Sequence, residues 1–188
     1  MSRGTREVTV VSSRLRVTNV KISFKVEKNI IFSETLNHPL ITYYNKNNFI
    51  IYFYEWVCTV LGSKLQHVNI TGIKNLKDIE TCLEHFYLVS NVRKEDITSL
   101  KTDNISITCS TKPGLRERII SIQSCDSFNL TVPPRFCGLI LRFEKCTIIY
   151  FNTGKANLVG VQSLESAELA LQHFERVLEV SGGKQDEM

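Results

Sequence analysis

The chain has 188 residues, is 43% hydrophobic and carries a formal net charge of +4, so it can bury a core as one compact domain or two small fused ones. The charge permits nucleic-acid binding without requiring it, and it is uneven: residues 1–91 hold 11 Lys and Arg against 7 Asp and Glu, whereas residues 92–188 hold 12 of each. The longest apolar stretch, Phe49 to Leu61, is interrupted by Glu55 and is shorter than the roughly 20 residues that span a bilayer; residues 1–7 lack the apolar run of a secretory signal, so an intracellular protein with no membrane partner is expected.

In chain order, residues 1–10 read as a tail. A first strand then sets Asn19, Lys21 and Ser23 in alternation, the period of a half-buried strand. Glu27–Leu36 is a polar segment with helical potential. Ile50–Val60 is rich in β-formers and runs into a turn at Gly62-Ser63-Lys64. Leu76, Ile79, Leu83 and Phe86 recur at helical spacing, which predicts an amphipathic helix. The same succession returns: a strand with Asn104, Ser106 and Thr108, a helical segment over Leu115–Ile122, and a β-rich run over Leu139–Phe151. A turn follows at Asn152-Thr-Gly-Lys155, where Asn and Gly tolerate positive φ. A helix then carries Leu164, Ala167, Leu171 and Phe174 on one side, and residues 181–188 are a second tail.

The two halves are copies. Gly72/Gly160, Leu76/Leu164, Glu80/Glu168, Leu83/Leu171, His85/His173 and Phe86/Phe174 coincide at a spacing of 88 residues without a gap. Phe49-Ile-Ile-Tyr mirrors Phe136-Cys-Gly-Leu-Ile at 87, and Val17-Thr-Asn-Val mirrors Thr102-Asp-Asn-Ile at 85. Two copies at so long a period indicate a tandem duplication rather than a solenoid. We place the repeats at 11–91 and 92–180. Strand, helix, strands, helix, repeated, predicts an α+β fold with helices on one sheet face.

Chemistry-bearing motifs are sparse. The 6 cysteines show no CxxC pair and no zinc-type Cys/His spacing, so reduced thiols packed as small apolar groups are expected, with no metal and no cofactor. His85 and His173 read as helix-surface residues. No nucleophile elbow, phosphate loop, dinucleotide fingerprint or carboxylate pair is present. No enzyme is expected, and no catalytic residues.

A family resemblance attaches to particular residues. Arg135-Phe-Cys-Gly-Leu-Ile-Leu-Arg-Phe-Glu-Lys145 followed by Thr147-Ile-Ile-Tyr-Phe-Asn-Thr-Gly-Lys155 resembles the second repeat of the TATA-binding protein family. Tyr44-Asn-Lys-Asn-Asn-Phe49 and Ile70-Thr-Gly72 are similar to first-repeat motifs of the same family. The resemblance covers about residues 14–180 and implies a curved antiparallel saddle of two repeats, with helices on the convex face and duplex DNA under the concave one. It implies binding and bending of A·T-rich promoter DNA through the minor groove by a transcription initiation factor. Carried over position by position, it assigns Phe49, Phe136 and Phe151 as wedges, and Asn19 and Asn104 as central amides. Thr71 becomes a groove contact, and Lys64, Arg142, Lys145 and Lys155 become basic residues near phosphate. Glu55 stands where an arginine would be, and Lys21 and Ser106 replace valines.

Leu130-Thr-Val-Pro-Pro-Arg135 departs from the acidic loop that receives a TFIIB-like initiation factor in the family; that factor and other polymerase-associated factors are the protein partners the resemblance implies. The implied compartment is the nucleus, or a cytoplasmic viral factory for a virus-encoded chain. A second reading stays open: a protein of this fold that scaffolds or titrates initiation factors with weak or no DNA binding.

Overall fold

The computed structural model describes residues 14–32, 40–45, 48–53, 55–62, 65–122 and 128–180. The chain divides into two compact units, one formed by Val17–Ile107 and the other by the chain from Thr108 onward with the N-terminal segment through Arg16.

In the first unit, β1 (Arg16–Val26) carries Val20, Ile22, Phe24 and Val26 inward, and Asn19, Lys21, Ser23 and Lys25 alternate with them on the other side. The strands β2 (Leu40–Asn45), β3 (Asn48–Tyr52), β4 (Val57–Leu61) and β5 (Gln66–Ile73) follow as antiparallel neighbours. Strand β5 then pairs with β1. Helix α1 (Asp78–Val89) covers the buried side with Cys82, Leu83, Phe86 and Val89. Phe86 is fully buried and meets Phe24 and Phe32 edge-on, with ring centroids 5.3 and 5.8 Å apart. The helical segment expected over Glu27–Leu36 is not helical through Phe32, and its remainder lies outside the described residues.

Strand β6 (Ile97–Ser110) runs beside β1 and continues into the second unit. There β7 (Asn129–Thr131), β8 (Leu139–Arg142), β9 (Thr147–Tyr150) and β10 (Lys155–Val161) are again antiparallel. The ten-strand order reads β2-β3-β4-β5-β1-β6-β10-β9-β8-β7. Helix α2 (Arg116–Ser121) falls where the sequence predicts one. Helix α3 (Leu164–Val180) buries Ala167, Leu171, Phe174 and Leu178 at helical spacing. Tyr150 is fully buried, and its hydroxyl accepts the Leu115 amide and donates to the Lys112 carbonyl, both at 3.0 Å. The α+β class and the duplicated helix-on-sheet layout are thus as expected.

Burial pushes the Cys82 thiol up to about 12 and Cys109 up to about 11, so both pack as neutral apolar groups. Gln66 is a buried polar residue. Its Oε1 accepts the Ile30 amide at 2.6 Å, and its Nε2 donates to the Gly62 carbonyl at 3.0 Å. Replacing Gln66 with Leu removes the side-chain partner of the Ile30 amide, which is buried, and of the Gly62 carbonyl, which is half-buried. We expect a loss of about 1–3 kcal/mol, seen as a lower urea midpoint at unchanged slope.

Candidate nucleic-acid interface

Because strand side chains alternate, the residues between the buried ones form an open face in each unit. In the first unit this face includes Asn19, Lys21, Ile50, Thr59, Asn69 and Thr71, all half-buried or exposed. Asn19 is held firmly: its Oδ1 accepts the Gly72 amide at 2.7 Å and the Thr71 hydroxyl at 3.2 Å. An amide oxygen must face an N–H donor, so the Asn19 Nδ2 group is left as the outward-competent donor. Gly72 makes this possible, with φ +100° and a backbone so close to Glu55 and Trp56 that a Cβ would lie 2.7 Å from the Glu55 carbonyl oxygen. Asn104 differs from its repeat mate, since its Nδ2 donates to Ser106 Oγ at 3.3 Å.

In the second unit, Phe136 and Phe151 meet edge-to-face with ring centroids 5.8 Å apart. Phe136 is 40% exposed. Its ring lies over Gly138 and beside Ile149 of the open face: a Cβ on Gly138 would come within 2.6 Å of Phe136 Cε1 and 3.0 Å of Ile149 Cγ2. The glycine therefore lets the aromatic ring lie against the sheet. Arg116 Nη1 donates to the Cys137 carbonyl at 3.1 Å and ties down the same loop. Arg142 donates to Thr131 Oγ1 at 2.7 Å across β7 and β8. Lys155 is exposed at the start of β10, and its carbonyl accepts the Phe151 amide at 2.9 Å, which closes the turn. Lys145 lies at the β8–β9 tip and lines a groove with Ser166, Leu169, Ala170 and His173 of α3. Lys64 lies outside the described residues.

Phe49 is corrected. It is 2% exposed and meets Phe32 edge-on at 5.2 Å, so it is a core residue. The reason is register. Phe53 N–H bonds the Trp56 carbonyl as Phe143 N–H bonds that of Cys146, and Phe49 pairs with Val60 as Leu139 pairs with Tyr150. The hairpins therefore correspond at a spacing of 90 rather than 87. Phe49 is the counterpart of Leu139, and the first-unit counterpart of Phe151 is Leu61, which is 44% exposed. The same register places Tyr52 opposite the role of Arg142 and Glu55 at the place of Lys145 in the turn. Glu55 thus does not replace a strand arginine.

The sequence places the first repeat's second wedge position near Val60 or Leu61, and Leu61 is the exposed one of the two. Sequence reasoning missed Tyr52 and Ile149 on the open face, and Asp103, which bonds Ser23 and pairs with Lys21 and Lys101. The strand period could have found the first two. His85 and His173 are both exposed on their helices, and no His, Cys, Asp and Glu cluster suited to a metal occurs among the described residues. No helix among them is long and apolar enough to cross a membrane.

Residues 99–180 match the family described as transcription factor TFIID, or TATA-binding protein. The TATA-binding protein of Methanococcus jannaschii has the same fold, with a TM-score of 0.67 at 19% identity over 88% of this chain and 98% of that one. No curated protein matches the sequence. The burial contrast between the aromatic residues yields a test. Phe49→Ala is expected to cost about 3–5 kcal/mol in guanidinium chloride unfolding, and Phe136→Ala about 1 kcal/mol or less. An equal loss for both would place Phe136 in the core.

Proposed function

We propose that the chain, whose residues 99–180 match the TATA-binding protein family and whose fold is that of a TATA-binding protein, is a transcription initiation factor of that family that grips and bends A·T-rich promoter DNA through the minor groove. The family's members are non-enzymatic transcription factors that work with DNA and initiation factors. The observation that carries the finer reading is the half-exposed Phe136–Phe151 pair, seated on the open face over Gly138. A ring pair in that position serves as a wedge between base steps, a mode of binding for which the TATA-binding protein is itself the reference case. Asn19 adds the right polarity, because an A·T minor groove offers only acceptors and Asn19 presents a donor. Asn104, Thr71, Arg142 and Lys155 complete the contact set, the two cations against phosphate.

The duplex is the main partner. A TFIIB-like factor or another polymerase-associated factor is the proposed protein partner, and the nucleus, or a viral factory for a virus-encoded chain, is the compartment in which it acts. With Leu61 in place of a second-unit aromatic residue, the first unit has a weaker wedge, so the sharper kink belongs at the end of the site held by β8 and β9.

Asn19→Ala with Asn104→Ala should weaken binding to an A·T-rich duplex by about 1–3 kcal/mol per lost contact while changing binding to random duplex far less, measured by fluorescence anisotropy at fixed salt. Equal losses on both duplexes would reject a base-reading role. Phe136→Ala with Phe151→Ala should still unfold cooperatively, yet bring the ends of a labelled duplex less close together in an energy-transfer assay. If wild type binds no duplex at all, the scaffolding alternative takes over, which the first unit's missing aromatic residue favours.

A further inference from the structure

A carboxylate occupies the open face where β1 and β6 run side by side. Asp103 Oδ1 accepts from Ser23 Oγ at 3.0 Å and pairs with Lys101 Nζ at 3.2 Å, and its Oδ2 lies 3.7 Å from Lys21 Nζ. Lys21 and Ser23 alternate with the buried Val20, Ile22 and Phe24, so the group that bonds them shares their face. The Asp103 side chain remains 20% exposed.

Partial burial pushes Asp103 upward, but the Ser23 hydroxyl and the Lys101 and Lys21 ammonium groups outweigh it and hold the carboxyl below its ordinary range. At neutral pH the group is therefore ionised and can only accept hydrogen bonds. A carboxylate offers about four lone-pair directions, and Ser23, Lys101 and the more distant Lys21 take at most three. Room for one further donor remains.

The minor groove supplies acceptors at every base pair, which repel a carboxylate, and a single kind of donor, the guanine N2 amino group. The location also fits base reading, because the Asn19 donor lies on the same face of β1 two residues before Lys21. We propose, resting on the DNA-binding reading above, that Asp103 selects a guanine N2 amino group, and so a G·C pair, within an otherwise A·T-rich site. Asp103 accepts from the amino group while Asn19 donates to a neighbouring groove acceptor. Lys21 and Lys101 offset the repulsion between the carboxylate and phosphate by staying paired with it.

The test compares the full chain on A·T-rich duplexes in which one pair, scanned along the site, is either G·C or inosine·C, which lacks only the 2-amino group. Anisotropy titration should find a position where G·C binds about tenfold tighter than inosine·C. Asp103→Val, checked for a cooperative melt, should reverse that preference. Asp103→Asn keeps the side-chain shape without the charge and should narrow it to within about threefold, because hydrogen bonds to charged groups are the stronger ones. A wild type that nowhere favours G·C over inosine·C, or a folded variant that keeps the full preference, overturns the assignment of Asp103. Binding to A·T duplexes without a guanine preference removes this inference alone, whereas no binding to any duplex removes the DNA reading with it.

Discussion

The rest of the structure depends on strand alternation beneath a covering helix in each unit. Once Val20, Ile22, Phe24 and Val26 are committed to the core beneath α1, their neighbours Asn19, Lys21, Ser23 and Lys25 are committed to the opposite side, with no further instruction. The same holds in the second unit, where Leu139, Leu141, Ile148 and Tyr150 are buried and Ile140, Arg142 and Ile149 are left open. A shift of an odd number of residues exchanges the two faces. Phe49 shows the consequence, since a three-residue difference in hairpin alignment separates a proposed DNA wedge from a ring packed on Phe32.

The two units use this constraint with different side chains. The second unit sets an aromatic pair at the rim of its open face and spares it a clash by placing glycine beneath the ring. The first unit has Leu61 at the position of Phe151 and Glu55 at the position of Lys145. Duplication thus preserved the strands and the helix stripes, which the core enforces, and allowed the exposed positions to diverge, which the core does not. Burial of a ring such as Phe86 or Phe174 is worth several kcal/mol, while an exposed exchange at a hairpin tip costs the fold little.

Polar anchoring supplies what apolar packing cannot. Asn19 is oriented by the Gly72 amide and the Thr71 hydroxyl, and Thr108 Oγ1 donates to Asn157 Oδ1 at 3.2 Å in the second unit. Ser23 of β1 bonds Asp103 of β6, and just beyond the end of β1 and before the start of β6 Lys28 pairs with Asp96. These pairs lie at partly exposed positions, where ion pairs contribute little to stability. Their weight falls on which groups are held in place to act as donors or acceptors.

Much was legible in the sequence by itself. The tandem repeat, the α+β class, the closing helices with their Leu, Ala and Phe stripes and the Asn152–Lys155 turn follow from local periodicity or from gapless matches between copies, while the pairing of Phe136 with Phe151 is what the family resemblance implied. Local rules carry that far because helix and strand periods are set by the backbone. Hairpin register is not local: it depends on which residues close the turn, and the Phe53–Trp56 bond decided it in favour of burying Phe49. Asp103 was likewise invisible as a site residue, because a lone aspartate beside Asn104 acquires meaning only when β1 brings Lys21 and Ser23 to it across 80 residues or more of chain. Sequence determined what each segment could become; tertiary structure decided which side of the sheet each residue faces and which distant charges meet there, because those depend on strand pairing and not on neighbours in the chain.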